Sequence, residues 1–324
     1  MRLDLHSFLA EPIRRLIDLR RLSGGDYHSQ AMLLGAFDHF VAEQPLVDEP
    51  RLTRPLVDAY QQSLSELAPR TQGNRMCVVR QLCRYLAAQD PQVYVPQALP
   101  AIASARVYVA YIYSREEVQA LMAASAILPP PGSLRPATYH TLLGLLYSTG
   151  LRIGEAMALN LSDFDPVQRR LWVAAGKFRK ARWIPLTPSV SESLAGYVER
   201  RLAAAPAGPE AALLVNLRGT RLHHCTVYHD FLQLLTHCDI ARGRQHRPRL
   251  HDLRHTFAVN RLLAWYREGC DVNARLPALA TYLGHVNITS TQCYLQPTAE
   301  LLAQVDQRFH AHYLAYVQTP GGRA

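Results

Sequence analysis

The chain has no apolar run approaching the roughly 20 residues that a membrane-crossing helix requires, so no span through a bilayer is expected. Its first residues, Met1-Arg2-Leu3-Asp4-Leu5-His6, meet an acidic side chain at once and lack the apolar stretch of a secretory leader, which points to a cytoplasmic protein. Cysteine is scarce. Cys77, Cys83, Cys225, Cys238, Cys270 and Cys293 are scattered with no Cys-x-x-Cys pair, a distribution that predicts reduced thiols, no disulfide and no zinc site. Acidic residues are also few, 26 against 35 lysines and arginines, leaving a formal net charge of +9. Arginine supplies the excess, and because a guanidinium pairs well with phosphate the balance favours a polyanionic partner. There is no internal repeat or low-complexity tract. A hydrophobic share of 48% excludes a disordered chain, and 324 residues suffice for two cores of ordinary size.

Helical periodicity dominates the N-terminal third. Met32, Leu33, Ala36, Phe37, Phe40 and Val41 recur over 28–43 as one stripe, and Leu56, Val57, Tyr60, Leu64 and Leu67 form a second. Val78, Val79, Leu82, Cys83 and Leu86 form a third, with Thr71 as its cap. This third helix carries Arg80 and Arg84 four apart, preceded by Arg70 and Arg75, either as a solvated face or as a DNA-facing one. Pro91, Pro96 and Pro100 then break the pattern, dividing the chain into a domain over 1–100, a linker over 101–113 and a second domain over 114–324. In the second domain, Thr141 to Thr149 reads as a buried helix stopped by Gly150, and Ile153, Ala156 and Met157 open the next. Leu171-Trp172-Val173 and Trp183-Ile184-Pro185-Leu186 are β-prone runs joined by a basic turn from Gly176 to Arg182, while Leu213-Leu214-Val215 is a further candidate strand. Pro277 in a first helical turn and Gly284 behind the last residue bracket a short helix, with His285 just past it. After Pro297, Thr298 can cap a tail helix over about 298–317 whose Leu302, Val305, Phe309, Tyr313 and Tyr316 share one stripe.

Six residues carry chemistry. Arg152 lies in Thr149-Gly150-Leu151-Arg152-Ile153-Gly154-Glu155, His251 and Arg254 lie in Leu250-His251-Asp252-Leu253-Arg254-His255-Thr256-Phe257, and His285 follows Leu283-Gly284. Tyr294 comes nine positions after His285, and Lys177 sits in the basic turn. Guanidinium forks hold non-bridging phosphate oxygens, a phenol can attack phosphorus, and lysine and imidazole move protons near neutral pH. Together they are what a metal-free phosphodiester transfer needs. Alone, each has a blander reading: Arg152 as an ion-pair partner of Glu155, His285 as a helix cap, Tyr294 as one of 16 tyrosines in a core. His-x-x-Arg is common by chance, yet Arg242, Arg244, Arg247 and Arg249 precede this copy with only Asp252 opposing, and a phosphate-binding surface explains that density better than an exposed loop. Lys177 competes with Lys180 and Arg182 for the role of acid, since any of them on a mobile turn could reach a phosphate. His223, His224, His229, His237 and the His251-Asp252 pair raise a rival, a His-Asp metal phosphohydrolase, which lacks the carboxylates such a site needs at recurring helical spacings.

The order Arg152, Lys177, His251-x-x-Arg254, His285, Tyr294 and its local wording resemble the tyrosine recombinase (phage integrase) family over about the C-terminal two thirds of the chain. One departure is the longer stretch from Arg254 to His285. The resemblance implies a mainly α protein: a small helical core-binding domain, then a mostly helical catalytic domain with a small antiparallel β-sheet, closing together on duplex DNA. It implies that Tyr294 attacks the scissile phosphate to give a 3′-phosphotyrosyl link, with Arg152 and Arg254 stabilising charge, Lys177 as acid, His251 as base and His285 bonding the phosphate. No cofactor or metal is called for. Arg80, Arg84, Arg179, Lys180, Arg242, Arg244, Arg247 and Arg249 are the expected further DNA contacts. The implied partners are duplex DNA with inverted-repeat core sites and copies of the same chain, a dimer on a site and a tetramer in the synapse joined through the tail helix, with a second recombinase or accessory protein as an option. A simple two-domain organisation on the nucleoid, serving a mobile element, is expected. A type IB topoisomerase-like relaxing enzyme and a non-catalytic DNA-binding protein of the same fold are the alternatives.

Overall fold

In the computed structural model, residues 3–24, 27–45, 50–98, 110–174, 181–240 and 247–285 are described. The chain divides into two compact units, Met1–Tyr108 and Val109–Ala324. The described residues are mostly helical, with one three-stranded antiparallel sheet in the second unit. No described helix is long and apolar enough to cross a membrane.

The first unit contains α1 (Ala10–Leu22), α2 (His28–Ala42), α3 (Arg54–Ser63) and α4 (Pro69–Ala87). Their apolar stripes converge on a core that includes Ile13, Leu16, Leu34, Phe37, Val57, Val79 and Leu82. Tyr60 meets Phe37 and Phe40 edge-on, with ring centroids 4.7 and 5.1 Å away. The fully buried Asp38 carboxylate accepts from the Ser7 hydroxyl at 2.6 Å and the His6 N–H at 2.6 Å, which ties the segment before α1 to α2. Helix α4 starts two residues before Thr71, because Pro69 suits a first helical turn and needs no N–H partner there. Leu64 and Leu67 lie past the end of α3 but still pack on the core.

The second unit contains α5 (Arg115–Ala124), α6 (Arg135–Thr149), α7 (Ile153–Ala158), β1 (Phe164–Asp165), β2 (Arg170–Val173), β3 (Arg182–Pro185), α8 (Pro188–Ala204), α9 (His224–His237), α10 (Leu250–Arg267) and α11 (Val272–Leu283). Ser114 opens α5 with a reciprocal cap, its hydroxyl accepting from the Glu117 N–H while the Glu117 carboxylate accepts from the Ser114 N–H. Helix α6 is the hub, packed against α5, α8 and α10. Antiparallel pairing sets Leu171 opposite Ile184, Trp172 opposite Trp183 and Val173 opposite Arg182. Leu171 and Ile184 face the core while the two tryptophan rings meet on the other side, 4.8 Å apart, with the Arg170 guanidinium 4.0 Å over Trp183.

Three local expectations in the second unit are corrected. Leu213-Leu214-Val215 is fully buried but joins no sheet: the bridges there are isolated, Val215 to Arg221 and the preceding Ala212 to Asn160, so apolar content serves packing. Pro277 lies inside α11, which starts five residues earlier because the Asp271 carboxylate caps the Ala274 N–H. Tyr111 and Tyr113, assigned to the linker by sequence, pack on the second unit, and the Tyr113 N–H donates to Thr256 Oγ1 at 3.0 Å.

Gly150 ends α6 at φ +63°, and a Cβ there would come within 2.5 Å of the Phe257 ring. Gly150→Ala is therefore expected to lower stability by about 1–3 kcal/mol through left-handed strain and ring collision, whereas Gly196→Ala, inside α8 with no neighbour within 4 Å, should leave it unchanged or raise it. Thermal and urea melts of the two variants check this contrast.

Candidate active site

Three chain segments meet at one buried carboxylate. Gly150 stops α6, Arg152 stands in extended backbone one residue past Leu151, and α7 begins at Ile153. One turn on, Glu155 receives the Arg152 N–H at 3.0 Å and the Arg152 Nη1 at 2.8 Å. Arg152 also donates Nη2 to the Gly284 carbonyl at 3.1 Å and keeps 24% of its side chain exposed. The Thr-Gly-Leu-Arg-Ile-Gly-Glu wording thus has a local physical content: a left-handed glycine, an extended arginine and a carboxylate that orients it.

From α10, Arg254 enters the same place as a 1% exposed side chain. Its Nη1 donates to the Gly150 carbonyl at 2.7 Å and its Nη2 to the Leu283 carbonyl at 2.6 Å. Nη2 also lies 3.0 Å from His285 Nε2. A guanidinium can only donate, so Nε2 accepts and His285 is held as the neutral ring. Helix α11 ends at Gly284, φ +67°, which turns the chain so that His285 faces Arg254.

Electrostatics agree with a neutral imidazole set. Burial, then the positive charges of Arg254, Arg152 and Arg182, push His285 down to about 4. Desolvation by the groups packed around its ring, then the charges of His255 and Arg254, push His251 down to about 4, although the residue as a whole is exposed in the first turn of α10. His255 is likewise pushed to about 4 by burial and by Arg254 and Arg249, and its ring meets that of His251 edge-on at 5.2 Å. At neutral pH these rings can accept a proton. Burial works against ionisation of Glu155, but hydrogen bonds from Arg182 and Arg152 outweigh it and hold the carboxyl below its ordinary range.

The structure therefore brings together Arg152, His251, Arg254 and His285. Lys177 and Tyr294 lie outside the described residues, as do Arg179, Lys180, Arg242, Arg244 and the tail over about 298–317. Arg247 and Arg249 are exposed just before α10, while Arg80 is half-buried and Arg84 exposed on α4 in the other unit. Sequence reasoning misread Arg182. It is not on a mobile turn competing for the acid role but the first residue of β3, with a side chain 10% exposed and paired to Glu155 at 2.9 Å. The alternation of β3 held the signal, since Arg182 stands two residues before the buried Ile184 and so on the inward face. A cavity of about 410 Å³ lies among Thr149, Phe257, Arg261, Trp265, Leu279 and Tyr282, and none of the four assembled residues lines it. Among the described residues no group of three or more His, Cys, Asp or Glu side chains is arranged to hold a metal ion.

The chain matches the model of the phage integrase family over residues 112–300. It is 36% identical over 301 residues to y4rE of Sinorhizobium fredii, named as an integrase/recombinase, with 93% of this chain and 96% of the relative covered. To tyrosine recombinase XerD of Caulobacter vibrioides it is 31% identical over 262 residues, 78% of this chain and 80% of the relative. The structure of the Tn1549 transposon integrase in complex with circular intermediate DNA shares the fold, with a TM-score of 0.66 at 17% identity over 92% of this chain and 98% of that one. By its own arginine-histidine cluster, by the family match and by relatives aligned along nearly their whole length, this chain belongs to the phage integrase family of tyrosine recombinases.

Proposed function

We propose that this chain recombines specific DNA sites for a mobile element, cutting and rejoining duplex DNA through a 3′-phosphotyrosyl intermediate. The observation that carries the reading is the convergence of Arg152, Arg254 and His285 from elements far apart in sequence, with His251 one turn before Arg254 on α10, in a chain where Tyr294 follows nine residues after His285. The mobile-element role is supported by relatives named as integrases.

In this reading the Tyr294 oxygen forms a bond to the scissile phosphorus as the bond from phosphorus to the 5′-oxygen breaks. His251, neutral above about pH 4, takes the phenol proton, and Lys177 gives one to the departing 5′-oxygen. Arg152 meets the non-bridging oxygens with its exposed edge, the buried Arg254 adds its charge, and His285 hydrogen-bonds the phosphate. The 5′-hydroxyl of a second strand reverses the step on a new partner, by way of a Holliday junction. Arg80 and Arg84 from the first unit, and Arg179, Lys180, Arg242, Arg244, Arg247 and Arg249 from the second, hold the DNA backbone. The chain works in the cytoplasm on the nucleoid, as a dimer on each inverted-repeat site and a tetramer in the synapse.

Tyr294→Phe should keep DNA binding and lose cleavage; a nicked suicide duplex should trap a covalent protein-DNA band with the parent chain, and the same band from the variant would remove Tyr294 from the role. Single-turnover cleavage should stay flat from about pH 8 to 5 and fall as the histidines protonate near 4, since a depressed imidazole loses its basic form only at that lower pH; an inflection near the ordinary 6.5 counts against neutral histidines. Lys177→Ala should cleave poorly on ordinary DNA but recover on a substrate with sulfur at the leaving position, because a thiolate needs no proton; recovery in Lys180→Ala instead moves the acid to Lys180.

A further inference from the structure

We propose that Arg182 is a positioning residue for strand transfer, which fixes the orientation of Arg152 by clamping both oxygens of the Glu155 carboxylate on which Arg152 rests. The inference rests on the reading of Arg152 as the phosphate ligand and adds a residue that touches no phosphate itself.

The geometry is that of a bolt at the root of β3. Arg182 forms the last residue pair of the β2–β3 ladder, opposite Val173, and its side chain turns inward. Its Nη2 donates to Glu155 Oε2 at 2.9 Å, its Nη1 to Glu155 Oε1 at 3.3 Å, and its Nε to the Tyr282 carbonyl at 2.6 Å. Fork-to-fork pairing of this kind fixes direction as well as energy. Glu155 accepts from Arg152 with the same two oxygens, so its acceptor capacity is filled by two arginines and one main-chain N–H. The pairs are dry: the side chains of Arg182 and Glu155 are 10% and 6% exposed.

Two further observations show how little freedom this leaves. Arg254 Nη1 stands 4.0 Å from Glu155 Oε2, within the range of an ion pair but too far for a hydrogen bond. With Arg182 removed, a buried carboxylate would lose two of its donors beside the two remaining guanidiniums, and Arg152, the more exposed of them, would be drawn further onto it and away from the phosphate. Gly284 closes the other side. A Cβ at that position would lie 2.8 Å from Arg182 Nη1 and 3.0 Å from its Cζ, so a side chain there would push the guanidinium off its partners, at a φ of +67° that already favours glycine. Three guanidiniums against one carboxylate also leave the cluster positive, which suits an arriving phosphodiester.

The test uses the full chain and a suicide duplex whose core site is first selected from a random-sequence pool by covalent capture with the parent protein. Three scissile groups are compared in single-turnover cleavage: the ordinary diester, a neutral methylphosphonate and a 5′-bridging thiolate leaving group. Arg182→Met should form the covalent complex about 10–100-fold more slowly on the diester, a loss of the size seen when the hydrogen-bonding partner behind a metal ligand is removed. Arg182→Lys, which keeps the charge and one donor, should lie between the two and serves if the methionine variant melts below the assay temperature. On the methylphosphonate, which has no anionic charge for Arg152 to stabilise, the gap between variant and parent should nearly close. An equal gap on diester and methylphosphonate would reduce Arg182 to a structural role. Closure of the gap only on the sulfur substrate would mean that it acts through the acid and not through Arg152. No covalent capture by the parent chain from any pool would instead overturn the recombinase reading on which the proposal stands.

Discussion

A carboxylate with the 6% exposure of Glu155 would cost several kcal/mol to bury alone, and a guanidinium as buried as Arg254 would cost no less. Each is tolerated because the other charges are there. Glu155 accepts from Arg152 and Arg182 and lies 4.0 Å from Arg254, so one acidic side chain holds three basic ones near a common point. The constraint runs outward from this pairing. Residues before α7, at the start of β3 and along α10 must all keep their places, or a charge is left unpaired in a dry interior.

One carboxylate cannot satisfy three guanidiniums, and the remaining donors go to helix ends. The last carbonyls of a helix have no partner inside it and carry its negative partial charge. Arg254 takes the Gly150 carbonyl behind α6 and the Leu283 carbonyl of α11, Arg182 takes Tyr282, and Arg152 takes Gly284. Left-handed glycines at both helix ends turn the chain where these carbonyls are presented. Arginine, glycine and helix terminus thus form one device that concentrates positive charge without matching acid. Burial, together with the same charge, pushes His251 and His285 down to about 4.

Helix α10 transmits this order to the rest of the unit. Its first turns place Leu250 and Leu253 in the large core around α6, and its later turns place Ala258, Val259, Leu262 and Leu263 in a smaller core with α11. His251 and Arg254 lie on the stretch packed into the large core. Phe257, one turn further, stacks on Tyr282 at 5.5 Å and bars any side chain at position 150.

Much of this was legible in the residues. Apolar stripes located α2 and α4, Gly150 and Gly284 marked two helix ends, and the Arg152, His251, Arg254 and His285 motifs pointed to one site because the chemistry needs those types together. Local signals failed where a distant group decided the outcome. Asp271 moved the start of α11 ahead of Pro277, and buried packing made Leu213-Leu214-Val215 a core segment in place of a strand. The sequence by itself determined the fold class, the family and the residue types of the site, since periodicity and short motifs are local properties of the chain. Only the tertiary structure decided which arginine faces outward and which supports it. The Arg182 to Tyr282, Arg254 to Gly150 and Arg152 to Gly284 contacts span 100, 104 and 132 residues, and a basic side chain is assigned to solvent, carboxylate or carbonyl only when packing brings those partners within reach.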